Sequence, residues 1–360
     1  MNTNLLDAHR QWATRSPDER FSSLESLYDY THKRGLASHQ MMLTVGRIEL
    51  KESGEGGINL NGHSEPMRLS NWSFGQLSAM AGAPAQYLRK LPPSLACSCL
   101  QYGLNANREE CQVLIRKYNS SEDRYTDRVA AAFTSSTYGR IWDADVVESI
   151  MEAIEGTSWH VPHSSEKDES DPSGLYASDR DMFAFMVNDE NPVQVGNSKL
   201  GRGFFCWNSE TGSASFGIST FLYNYVCKNH IVWGAKDVNE LRIIHRSRSR
   251  HWFEVDGMRI LNDFVGSRSL ESEIKSMATR AMETPTAKSL DEILKQYQGK
   301  QFTKKELESA WVAGQEQGED VTTVWGMVQG LTSVARDMPH IDRRVNLERR
   351  ASMLLPTNII

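Results

Sequence analysis

Apolar and polar positions recur with two different periods along the chain. From Leu69 to Leu104 the apolar residues return with the period of a helix. Ser70 suits the cap of a first helix there, Ala83-Pro84 the opening of a second, and Leu91-Pro92-Pro93 breaks the run before a third that begins at Ser94. Between Asp143 and Ile154 a further helix is predicted, with Val146, Val147, Ile150 and Ile154 on one face. Beyond Val255 the helical period takes over, predicting helices at about 258–284, 289–298, 303–315 and 320–337. Residues 1–40 read as one or two short helices with a start signal at Ser16-Pro17-Asp18-Glu19.

Short runs of strand character fill the rest. They are residues 41–63, ending in a glycine-rich turn, then 112–118, 129–134, 182–187, 203–207, 213–218 and 240–245. The stretch 203–218 has the form of a hairpin with its loop at Asn208–Gly212, and 221–227 is a buried helix or strand. The predicted class is α+β: a central antiparallel sheet with flanking helices and a helical C-terminal part. The expected segments are 1–40 (N-terminal helical), 41–160 (α+β first half), 161–181 (a flexible acidic loop), 182–256 (a β-rich basic and aromatic half), 257–340 (helical) and 341–360 (tail).

Composition narrows the class. With 360 residues, 39% hydrophobic and 24% charged, the chain has enough apolar side chain for a large core. Its five cysteines are too few and too scattered for a disulfide framework, which fits a reducing cytoplasm. The N-terminal stretch has no basic patch followed by an apolar run, and no apolar run reaches membrane-spanning length, so neither a secretory signal nor a membrane span is expected. The net charge of −6 is unevenly spread. Arg140–Val195 carries three bases against thirteen acids, and Lys199–Arg280 twelve bases against eight acids. Such asymmetry marks either an anion-binding face or a solvated surface whose unlike patches meet.

Candidate chemistry is sparse. Cys227, His230, His245 and His251 match no compact zinc spacing, and the arginines between the last two oppose a cation. No nucleophile elbow, dinucleotide fingerprint or phosphate loop occurs. Asp189-Glu190 with Lys199 is the nearest approach to a metal-nuclease set. No catalytic residue, metal or cofactor is therefore expected. The strongest local feature is Arg242-x3-Arg246-Ser-Arg248-Ser-Arg250-His251-Trp252. If extended, it places Arg246, Arg248 and Arg250 on one face, a row that a phosphate backbone would neutralise. Trp252, and aromatics upstream at Phe204, Phe205, Trp207, Phe216, Phe221, Tyr223 and Tyr225, could stack bases or could equally form a sheet core. Lys199, Arg202, Arg242, Arg246, Arg248, Arg250 and Trp252 are the candidate nucleic-acid-binding set.

Three motifs carry a resemblance: Asn208-Ser209-Glu210-Thr211-Gly212, Val226-Cys227-Lys228-Asn229 and Arg242-Ile243-Ile244-His245. With the upstream stretch around Trp72–Leu104, they resemble the phage- and plasmid-associated proteins grouped as domain of unknown function 932. The chain departs from that pattern at Lys228-Asn229-His230, where Thr-Asn-Gly is usual. The resemblance implies a mobile-element protein of about residues 40–340 and carries no defined activity. Two expectations follow. One is a single-stranded DNA-binding protein, with strand annealing as an extension, working as a homo-oligomer. The other is a host-directed or regulatory protein whose helical C-terminal part holds a protein partner.

Overall fold

The computed structural model describes residues 19–53, 57–61, 66–119, 126–161, 174–195, 198–224, 230–231, 241–266, 270–336, 347 and 350–356. The class is α+β, but the strands form two sheets, not one. Among the described residues the order begins with α1 (Leu24–Leu36), β1 (Ser38–Thr44), β2 (Leu50–Glu52), β3 (Ile58–Leu60) and β4 (Met67–Leu69). Then come α2 (Asn71–Met80), α3 (Ala85–Leu88), α4 (Pro93–Asn105), β5 (Glu110–Asn119) and β6 (Thr126–Ser135). The first sheet has the order β1-β5-β6-β4-β3-β2, antiparallel except where β4 runs parallel to β6. Ser70 caps α2 as expected, its hydroxyl accepting from the Ser73 N–H at 3.0 Å. The apolar stripes of α2 and α4 bury Leu77, Leu100 and Leu104 against Val113, Ile115 and Phe133.

The second half contributes α5 (Asp143–Ile154), β7 (Trp159–His160), β8 (Leu175–Ala177), β9 (Met182–Val195), β10 (Ser198–Asn208), β11 (Phe216–Asn224), β12 (His230–Ile231) and β13 (Leu241–Ile243). These strands form the second sheet, in the order β12-β11-β10-β9-β7, with β13 on β11 and β8 on β9. The stripe of α5 holds as read: Val146, Val147 and Ile150 pack on Phe204 and Phe216 of this sheet. Leu24 and Leu27 of α1 join the same core, so the N-terminal helix belongs with the second sheet.

After β13 the chain turns into α6 (Ser249–Trp252), then α7 (Met258–Gly266), α8 (Leu270–Glu283), α9 (Leu290–Tyr297), α10 (Lys304–Glu316) and α11 (Val324–Arg336). Ser289 and Thr303 cap α9 and α10. Ile293, Leu307, Ala310 and Leu331 pack with Leu347 and Ala351, so part of the expected tail lies in the helical core. No helix among the described residues is long and apolar enough to cross a membrane.

Two further readings are corrected here. The expected flexible loop 161–181 ends in structure: Leu175, Tyr176 and Ala177 are a buried strand, and Ser178 and Asp181 are buried. Residues 162–173 of that loop lie outside the described residues. The strand expected at 240–245 stops at Ile243, and helix follows from Ser249.

Candidate functional site

Five charged side chains meet in the contact between the two sheets. They are Arg34 of α1, Arg116 of β5, Arg140, Asp143 at the start of α5 and Glu210 in the turn after β10. Arg116 Nη2 donates to Glu210 Oε2 at 2.6 Å, and Arg34 Nη2 lies 3.6 Å from the same oxygen. The other oxygen, Oε1, accepts the Asp143 backbone N–H at 3.0 Å, so Glu210 caps α5 from a turn distant in sequence. Arg140 Nε donates to the Glu210 carbonyl at 2.7 Å, and its Nη1 to Gln112 Oε1 at 2.7 Å. Asp143 accepts from Arg34 at 2.5 Å and from the Asn208 amide at 2.6 Å.

All five residues are buried. Burial would push the Glu210 carboxyl up, but Arg34, Arg116 and the Asp143 N–H outweigh it and hold Glu210 ionised. Burial and the Glu210 charge push Asp143 the other way. Both carboxylates have a side-chain exposure of 1%, which seals them from any substrate. The arrangement joins parts of the fold and does not present an acid–base pair.

The Arg242-x-x-His245 motif docks beside this cluster. Burial lowers the His245 pKa to about 4, so the ring is neutral and His245 Nδ1 donates to the Gly139 carbonyl at 3.0 Å. The same ring stacks on Tyr138 with centroids 4.9 Å apart. Tyr138 in turn donates its hydroxyl to the Ser209 carbonyl at 2.8 Å. A methyl group at Gly139 would overlap the Arg246 carbonyl, so the chain passes there without a side chain. Ser249 closes the turn: its hydroxyl accepts from the Arg246 N–H and reaches the carbonyls of Ile244 and Arg246 at 2.8 and 2.7 Å. Ser249 is fully buried.

This anchoring overturns the extended arginine row. Arg246 sits in a bend, Arg248 in a turn and Arg250 in α6, so the period of two does not set their directions. Arg246 and Arg248 are exposed, and neither has an ion-pair partner among the described residues. Arg250 lies 3.4 Å from Asp145 and 3.0 Å from Glu254. Arg242 Nε donates to Ser215 Oγ at 2.9 Å. Trp252, four positions after Arg248, keeps 46% of its surface exposed.

Lys199 and Arg202 belong elsewhere. Arg202 pairs with Leu222 on β11, whereas Arg242 pairs with Gly217, opposite Trp207. The five residues from Arg202 to Trp207 span about 17 Å of strand. Lys199 is exposed, and the Arg202 guanidinium lies over the Trp159 ring at 5.7 Å. Phe204, Phe205, Trp207 and Phe216 are all buried, so these aromatics form core and are not stacking platforms. Phe221 and Tyr223 are in β11, and Tyr225 lies outside the described residues. Cys227 also lies outside them, and no metal-holding group of three or more His, Cys, Asp or Glu occurs among those described.

Sequence reasoning missed Arg34, Arg116, Arg140 and Asp143. The motif resemblance had marked Glu210 and His245, and the structure gives both a place. Comparison with curated proteins and with solved structures returns no match. A family model does match, over residues 132–352, a span that contains Asn208–Gly212 and Arg242–His245 but not the upstream stretch around Trp72–Leu104. With well over half its length matched, the chain belongs to the family described as domain of unknown function DUF932.

Proposed function

We propose that this protein binds single-stranded DNA without catalytic chemistry, through the turn 244–252. The observation that carries the reading is the contrast between the two sides of that turn. Beneath, His245, Ser249 and the Gly139 contact fix the backbone. Above, Arg246, Arg248 and Trp252 are exposed. A fixed backbone reduces the ordering cost of binding, and two guanidiniums without ion-pair partners among the described residues suit two phosphates. The indole offers a face on which an unpaired base stacks, which a duplex does not supply. Of the seven residues in the sequence set, Arg246, Arg248 and Trp252 carry the proposal. Arg250 is neutralised, and Arg202 and Lys199 lie too far along the sheet for the same short contact.

The test is fluorescence anisotropy of a labelled oligothymidylate, with unlabelled single strand and duplex of equal length as competitors. The expected result is binding at about 50 mM salt that weakens steeply by about 200 mM, with the single strand the better competitor. Absence of binding at the lower salt, or a duplex that competes equally well, overturns the proposal.

A further inference from the structure

A cleft of about 760 Å³ opens on the other flank of the Asn208–Gly212 turn, between α2 and the turn at Ser178–Asp181. That volume lies within the range of small-molecule sites. Trp72, Gly75 and Gln76 of α2 form one wall, Arg180 the opposite wall, and Arg89 one end. The walls are rigid. Trp72 Nε1 and Gln76 Nε2 both donate to the Thr211 carbonyl, at 3.1 and 2.9 Å, and Gln76 Oε1 accepts the Phe133 N–H at 2.9 Å. The Arg180 carbonyl accepts three hydroxyls, from Ser209 at 2.7 Å, Thr211 at 2.9 Å and Ser213 at 3.1 Å.

The Arg180 guanidinium is treated differently from its backbone. It is half-exposed, lies 5.8 Å from the Trp72 ring centroid, and makes no side-chain hydrogen bond among the described residues. The Asp179 carboxylate stands 3.8 Å away, beyond hydrogen-bond length. Arg89 uses Nε and Nη2 on Asn71 and keeps its remaining N–H groups. The cleft therefore combines a fixed aromatic face with two guanidiniums that hold unused donors. Drawing Arg180 onto an anion alone would uncover the indole face it now lies over, and an uncharged ring would leave the guanidiniums without acceptors.

We propose that this cleft binds a nucleotide: the base stacks on Trp72 in the place the Arg180 guanidinium now occupies, and Arg180 and Arg89 take the phosphate. The nucleotide is either free or one unit of a bound strand. The inference stands on residues other than those of the 244–252 turn and survives if strand binding there fails.

The experiment is calorimetric titration of the full chain with three probes: thymidine 5′-monophosphate, thymidine and inorganic phosphate. Two variants accompany it. Arg180→Gln removes the cation while keeping the backbone. Gly75→Leu fills the cleft, because a Cβ there meets only Arg89 Nη2, at 3.8 Å, so its Tm should equal or exceed the parent's. The monophosphate should bind more tightly than either fragment; Arg180→Gln should weaken it by roughly tenfold or more, the loss of one charge-assisted contact, and Gly75→Leu should weaken it by at least as much by occupying the cleft. Inorganic phosphate binding as tightly as the nucleotide, or either folded variant binding it like the parent, overturns the proposal. Oligothymidylate competition on the Arg246→Gln/Arg248→Gln protein separates the sources. Displacement of the monophosphate assigns the cleft to a strand, and its absence assigns it to the free nucleotide.

Discussion

Replacing Glu210 by Gln keeps the shape of the buried cluster and removes one of its two negative charges. In the parent, Arg34 and Arg116 pair with the two carboxylates, and Arg140 donates to the Glu210 backbone carbonyl. The variant leaves Arg116, only 2% exposed, without a charged partner and Arg34 with Asp143 alone, and its single amide oxygen cannot accept from both Arg116 and the Asp143 N–H. Removing one partner from a buried pair costs about 3–5 kcal/mol, because the remaining charge is left uncompensated away from water. For a chain of 360 residues that is a fall in melting temperature of roughly 4–7 °C. Glu254→Gln is the matched control: its partner Arg250 and Glu254 itself are both more than half-exposed, so the loss should stay below about 1 kcal/mol. Adding Arg116→Met to Glu210→Gln should recover part of the loss, since a hydrophobic replacement removes the stranded charge. Thermal denaturation followed by circular dichroism reads all four proteins. A Glu210→Gln protein that melts within a degree or two of Glu254→Gln would refute the claim that this cluster holds the two sheets together.

Further expectations follow from the same contacts. Trp252→Ala should weaken strand binding by about 1–3 kcal/mol in an anisotropy titration, with stability changed by no more than about 0.5 kcal/mol because the ring is half-exposed. Gly139→Ala should lower stability by about 1–3 kcal/mol, since the added methyl must displace the Arg246 carbonyl, and urea denaturation measures it. His245 is neutral in the fold with a pKa of about 4 and takes up a proton on unfolding below about 6.5. The unfolded state thus binds more protons in that window, and stability falls as the pH drops through it. Asp143 acts in the opposite sense, so the His245 contribution is read as the difference between the parent and His245→Asn, whose amide can still donate to the Gly139 carbonyl. Between pH 7 and 5 the parent should lose more Tm than the variant.

The parts legible in the sequence were those set by neighbours along the chain. Ser70, Ser289 and Thr303 announce helix starts, and Val146, Val147 and Ile150 announce a buried face, because capping and amphipathicity are local. The division into two sheets was not legible. It depends on β4 choosing β6 as a parallel partner across three intervening helices and β5, a choice made by packing and not by either strand's own pattern. The arginine row was misread for an identifiable reason. Alternating Arg and Ser has a strand's period, but Ser249 has three backbone contacts that close a turn, and those contacts need Gly139 from a distant loop. The charged cluster left no spacing signal at all. Arg34, Arg116, Arg140, Asp143 and Glu210 come from separate elements, and only the motif resemblance had singled out Glu210.

Strand binding through the 244–252 turn is tested most directly by the salt dependence of oligothymidylate affinity in two variants. Each phosphate neutralised on a single strand contributes about −0.7 to the slope of log affinity against log salt. Arg246→Gln/Arg248→Gln removes two guanidiniums that have no ion-pair partner among the described residues and should flatten the slope by about 1.4. Arg250→Gln removes a guanidinium already held by Asp145 and Glu254, and its slope should match the parent's. A double variant that keeps the parental slope, or an Arg250→Gln protein that loses as much as the double variant, would contradict the account.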